Sequence, residues 1–111
     1  MTEITLEKDP DFGYKRVCVS GHSGYAEEGS DVVCAYVSSA MELLMTILLD
    51  SLKAKAKTKT DPGKAQAEIT LSDCEENRRI AKAICAVTSG FAKQMRSFSE
   101  QYPEYVSMTV A

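Results

Sequence analysis

The sequence predicts an α+β fold, a single mixed or antiparallel sheet with two helices packed on it in the order β-β-α-β-β-α-β. Three observations lead there. Several short segments alternate apolar and polar residues with the period of a strand, and two longer ones carry apolar residues at the three-to-four spacing of a helix. Turn formers, Asp9-Pro10-Asp11-Phe12-Gly13 and Asp61-Pro62-Gly63, stand between the alternating segments. With 111 residues, of which 44% are hydrophobic, the chain suffices for one core and is too short for two, so residues 1–111 are read as one domain.

In ITLEK (4–8) Ile4 and Leu6 alternate with Thr5 and Glu7, and in YKRVCVS (14–20) Val17 and Val19 alternate with Arg16, Cys18 and Ser20. Residues 9–13 then close a hairpin whose loop exceeds two residues. From Asp31, a good N-cap, the period becomes helical through Val33, Val37, Ala40, Leu44, Ile47 and Leu48. Val32, Tyr36, Leu43 and Leu49 make the other sides of this helix apolar too. A cover of sheet plus second helix or partner subunit is expected, which favours a dimer.

KAKAKTKT (53–60) alternates Lys53, Lys55, Lys57 and Lys59 with small residues, the pattern of a strand with one solvated face. AQAEITL (65–71) alternates again and pairs with it, with Glu68 opposite a lysine. A second helix starts near Ser72 or Asp73 and carries Ile80, Ile84, Val87, Phe91, Met95 and Phe98 on one stripe. Gly90 interrupts it at a cost of about 1 kcal/mol relative to alanine, which suggests a close helix contact or a bend. Pro103 ends it, and YVSMTVA (105–111) reads as a last strand.

A formal net charge of -3 supplies no global basic field, so direct nucleic-acid binding is not expected. The first residues, MTEITLEKDPDF, lack the basic-then-apolar pattern of a secretory signal, and a cytoplasmic location follows as an expectation. The apolar run Val32 to Leu49 is broken by Glu42, Ser38, Ser39 and Thr46, so it reads as a buried helix and not as a membrane span. The four cysteines, Cys18, Cys34, Cys74 and Cys85, contain no close-set pair; free thiols are expected, and no zinc site.

Cysteine attacks carbonyls as a thiolate, and a helix N-terminus or an adjacent imidazole activates it. With Asp31 as N-cap, Cys34 falls at the third helical position, among first-turn amides that also suit an oxyanion. The Asp31 carboxylate opposes a negative sulfur unless His22 stands between them. His22, at the exit of the second strand, is the sole histidine, so a Cys-His hydrolase on this chain must use it. The ordinary alternatives are a buried thiol and a surface histidine. Cys18 and Cys85 read as packing residues, and Cys74 is surrounded by Asp73, Glu75 and Glu76. Asp31 is a better orienting residue than Asn77, which reads as a solvated helix residue. Ser38, one turn after Cys34, lies on the same helix face and either hydrogen-bonds near the site or bonds back to its own helix.

The stretch GHSGYAEEGSDVVCAYVS resembles the ribosomal-processing cysteine protease Prp family, whose members carry a Gly-His pair, a glycine-bearing loop and a Gly-x-Asp-[Ile/Val]-Val-Cys-Ala segment opening the first helix. The matching residues are Gly21, His22, Gly29, Asp31, Val32, Val33, Cys34, Ala35, Val37 and Ser38. Ser23 stands where alanine is usual and Tyr36 where a small residue is usual. The resemblance implies a homodimeric cysteine endopeptidase, without metal or cofactor, that removes a short N-terminal extension from the precursor of a large-subunit ribosomal protein before assembly. It also implies Cys34 as nucleophile and His22 as general base. Gly24 to Ser30 would then form a lid, with Gly21, Gly24 and Gly29 as hinges. Two other classes compete: a non-enzymatic ribosome-assembly factor docking through the lysine strand, and a redox-sensing thiol protein needing a resolving cysteine near Cys34.

Overall fold

The alternation in the first twenty residues forms two adjacent inner strands of a five-stranded sheet whose spatial order is β3 (Ala56–Asp61), β4 (Gln66–Leu71), β2 (Gly13–Ser20), β1 (Thr2–Asp9) and β5 (Val106–Val110). The structure, a computed structural model, describes residues 1–22, 26, 27 and 31–111. Strands β1 (Thr2–Asp9) and β2 (Gly13–Ser20) pair antiparallel with Ile4 opposite Val19 and Leu6 opposite Val17. Strand β4 (Gln66–Leu71) pairs antiparallel with β2 and with β3 (Ala56–Asp61), and β5 (Val106–Val110) runs parallel to β1. Residues in register share a face, so Val110, Leu6, Val17 and Ile69 form one inner row and Met108, Ile4, Val19 and Ala67 the next. The sheet is mixed, as expected.

Both long helices cover that inner face. Helix α1 (Val32–Thr46), extended by a π-helical turn over Ile47–Ser51, buries Val33, Val37, Met41, Leu44 and Leu48. Helix α3 (Ala81–Gln101) buries Ile84, Phe91 and Met95, and its Thr88 docks the first hairpin. The Thr88 hydroxyl donates to the Phe12 carbonyl at 2.7 Å, and Gly13 is pressed so near that a Cβ there would lie 2.8 Å from Thr88 Oγ1. The outer side of α1 stays apolar and open, with Val32, Tyr36 and Leu43 exposed at 46%, 50% and 61%.

The structure corrects four details of the expected pattern. The second helix is broken at Ile80 (φ -114, ψ 22) into a short α2 (Glu75–Arg79) and the long α3, which continues unbroken past Gly90. A Cβ at Gly90 would meet nothing within 4 Å, so no close helix contact requires that glycine. Strand β3 begins at Ala56 instead of Lys53, whose φ of 56 takes the chain out of extended conformation. Glu68 does lie opposite Lys59 in register, yet its ion pair is with Arg16 across on β2, a stronger partner because the guanidinium is itself half-buried.

Asn77 accounts for the late start of β3 and is the fourth correction, being fully buried where a solvated residue was expected. Its side chain accepts from the Lys55 amide and donates to the carbonyls of Lys55 and Ser72, all at 2.8 Å. The Lys55 amide and the Ser72 carbonyl thus find a partner in the Asn77 side chain, and the Lys55 carbonyl, which also accepts the Ser72 amide at 3.0 Å, gains a second one. Asn77→Ala removes that partner from partly buried groups and should lower the unfolding free energy by about 2 kcal/mol in urea titration.

Candidate active site

Helix α1 starts where it does because Asp31 caps it. The Asp31 carboxylate, buried at 8% exposure, accepts the Cys34 amide at 2.9 Å while its carbonyl accepts the Ala35 amide at 3.1 Å. Cys34 therefore sits at the third helical position, half-buried, with its main chain fixed from both ends of the cap. One expectation changes as a result: the Cys34 amide is already engaged by Asp31 and cannot serve as a free oxyanion donor in this state. The helix positions ahead of it, Val32 and Val33, carry the first-turn amides that have no acceptor within the helix.

His22 is delivered from the other side by the end of β2. Gly21 before it has φ 87, and a Cβ there would lie 2.6 Å from the Met1 carbonyl oxygen, so only glycine lets the strand turn at this point. The Gly21 amide donates to the Lys64 carbonyl at 3.3 Å, and its own carbonyl accepts from the Thr2 hydroxyl at 3.2 Å. Gly21, named as a hinge with Gly24 and Gly29, is thus held at both its amide and its carbonyl. Gly24 and Gly29 lie outside the described residues, as do most of the expected lid and Ser23. Of the lid segment only Ala26 and Glu27 are described, both exposed.

Twelve residues apart in sequence, the two side chains meet: His22 Nδ1 lies 3.9 Å from Cys34 Sγ. Cys34, together with Gly21 and Thr2, lines a cleft of about 380 Å³. Its helical wall steps along α1 from Cys34 through Ser38, Met41, Glu42 and Met45, and its sheet wall includes Ala67 and Thr60 from the uncovered end of β3 and β4. Ser38 is exposed and lies on the cleft wall one turn beyond Cys34. The methionine pair supplies an apolar, adaptable surface suited to a side chain of a bound peptide.

The other thiols are elsewhere. Cys18 is buried on the outer sheet face opposite Glu68, and Cys85 lies in α3 with its sulfur 3.7 Å from the Ser89 hydroxyl. Cys74 stands at the start of α2, where Glu76 is held below the usual carboxylate range by its own backbone amide and by the Cys74 thiol. A thiol engaged as donor to a carboxylate is poorly placed for attack on a carbonyl. Among the described residues no cluster of three or more His, Cys, Asp or Glu could hold a metal ion. The cleft walls were not identified from sequence, although Met41 and Met45 follow Cys34 by seven and eleven residues, the spacing of one helical face.

A thiol that lines a cleft and has an imidazole beside it suits a cysteine hydrolase. Residues 1–107 match the family model described as Cysteine protease Prp. The chain belongs to that family and is a cysteine-type endopeptidase. The fold is also that of the S. aureus protein titled an essential ribosomal processing protease Prp. The structure with a covalently linked product peptide superposes with a TM-score of 0.84 at 16% identity, covering 100% of both chains. The same protein in complex with a substrate peptide gives 0.80 at 16% identity, again over 100% of both chains. SMU.848 from Streptococcus mutans gives 0.82 at 24% identity, over 99% of this chain and 93% of the other. No curated relative matches the chain at a significant level.

The Asp31 cap yields a direct test. Asp31→Ala should cost about 1 kcal/mol in urea unfolding, whereas Asp31→Asn, which keeps a cap acceptor, should retain most of the stability.

Proposed function

We propose that Cys34 is the nucleophile and His22 the general base of this peptidase. The reading rests on one observation above all, the 3.9 Å approach of His22 Nδ1 to the Sγ of Cys34, a residue that lines the cleft. The thiol proton passes to His22 Nδ1 as the sulfur attacks the scissile carbonyl carbon, and the oxyanion that forms is met by the Val32 and Val33 amides. The tetrahedral adduct collapses, His22 returns the proton to the leaving amine, and the peptide's acyl part stays on sulfur as a thioester. Water, deprotonated by the same imidazole, then releases the acid and restores the thiol. Asp31 holds Cys34 in place through its amide, and Ser38 borders the bound peptide.

The substrate in this reading is the N-terminal extension of a large-subunit ribosomal-protein precursor, and the protein works in the cytoplasm as a homodimer. Membership of the Prp family and the full-length match to a ribosomal processing protease support the substrate. The open apolar side of α1 supports the dimer: Val32, Tyr36 and Leu43 are suited to a partner subunit. Residues Val32–Ser51 are long and apolar enough to cross a membrane by length and composition. We assign them instead to this core helix, because one side is packed on the sheet and Glu42 faces the cleft. The lysine strand is read as a solvated, protected edge: Lys57 and Lys59 project from β3, which ends the sheet.

Two measurements check these assignments. Cleavage of a precursor peptide should fall by at least about a thousandfold in Cys34→Ala and in His22→Ala, and survival of cleavage in either variant rejects the dyad. Leu43→Glu should convert a dimer into a monomer in sedimentation equilibrium; an unchanged mass would move the interface off this helix side.

A further inference from the structure

We infer that Thr2 is a positioning residue for His22, acting through the peptide from which the histidine hangs. The inference rests on the Cys34–His22 reading above. Thr2 is the first residue of β1 and is buried at 1% exposure on the inner face of the sheet, in line with Ile4 and Leu6. Valine would fill such a position at lower desolvation cost, since a buried hydroxyl is unfavourable unless it is hydrogen-bonded. The Thr2 hydroxyl has its bond: it donates to the Gly21 carbonyl at 3.2 Å.

That carbonyl belongs to the Gly21–His22 peptide, and a peptide unit is planar. Holding its oxygen therefore sets the tilt of the plane that carries the His22 amide and Cα. The need for such a hold follows from the local backbone. Gly21, at φ 87, has the conformational freedom of a residue without Cβ, and past Ser20 the ladder between β1 and β2 has ended. Two contacts take over from the ladder: the Gly21 amide to the Lys64 carbonyl, and the Thr2 hydroxyl to the Gly21 carbonyl. Thr2 is itself anchored, its amide donating to the Tyr105 carbonyl at 2.8 Å beside its β5 neighbour Val106. The chain of support runs from β5 through Thr2 to the peptide of His22, and from there to Cys34 Sγ.

Thr2 lines the cleft with Cys34, but its hydroxyl is bonded to the Gly21 carbonyl and not to the sulfur, so its loss should act on the geometry of the pair. Two readouts separate this from a general loss of structure: kinetics on a precursor peptide, and iodoacetamide alkylation of Cys34 followed by peptide mass spectrometry that counts Cys18, Cys74 and Cys85 apart. Thr2→Val should lower kcat about tenfold with KM changed less than about twofold, because misplaced catalytic groups lose rate more than binding. Alkylation of Cys34 should slow toward the His22→Ala level. Thr2→Ser, which keeps the hydroxyl, should restore both, and Thr2→Val added to His22→Ala should slow alkylation no further. Thr2→Ala carries the same expectation and replaces Thr2→Val if the latter does not fold.

Wild-type kcat and alkylation in Thr2→Val would overturn the inference. So would an equal loss in Thr2→Ser, or a further slowing in the His22→Ala background. If His22→Ala slows alkylation and Thr2→Val does not, only the role of Thr2 falls. If His22→Ala alkylates at the wild-type rate, the dyad and the inference fall together.

Discussion

The pairing of β1 with β2 sets the positions on which the site depends. With Ile4 opposite Val19 and Leu6 opposite Val17, the inner face of the sheet is apolar across its central strands, and both helices pack against it. A slip of one residue would turn that face outward and bring Glu3, Thr5 and Glu7 under the helices, so the register is strongly specified. The same register ends β2 at Ser20, which leaves Gly21 to make the turn and His22 to emerge beside the start of α1. The approach of His22 to Cys34 thus begins as a consequence of core packing.

Two local devices refine what the sheet sets approximately. On the helix side Asp31 binds the amide of the very residue that carries the sulfur, so the cap and the thiol-bearing residue share a hydrogen bond. On the strand side a glycine with positive φ passes tightly under the Met1 carbonyl and is bonded at both amide and carbonyl. The first device also limits the chemistry: an amide given to the cap is withdrawn from oxyanion stabilisation.

Much of the fold was legible in the sequence because strand and helix periods are local. Ile4 and Leu6, Val17 and Val19, and the stripe from Ile84 to Met95 point inward for reasons contained in their own segments. Asn77 was not legible in that way. An asparagine in the first helical turn after three acidic residues reads as solvated, and only the folded chain brings the Lys55 backbone to it. The break at Ile80 and the delayed start of β3 surround the same buried amide. Gly90 is the converse case: locally it signals a contact, whereas in the fold its Cβ side faces open space.

The candidate site divides along the same line. The sole histidine, the Asp-Val-Val-Cys helix start and the glycine before His22 are sequence-local, and they are enough to name the chemical class. The cleft is not local. Met41 and Met45 share a helix face with Cys34, but nothing in that periodicity says that Ala67 and Thr60 of a distant hairpin form the opposite wall. Thr2 is the extreme instance. Its hydroxyl reaches a carbonyl nineteen residues away, a contact created by strand pairing. Local periodicity determined which residues face inward and which carry chemistry. Distances between elements remote in sequence were decided by the tertiary structure, because packing and long-range hydrogen bonds act between segments whose separation no local pattern encodes.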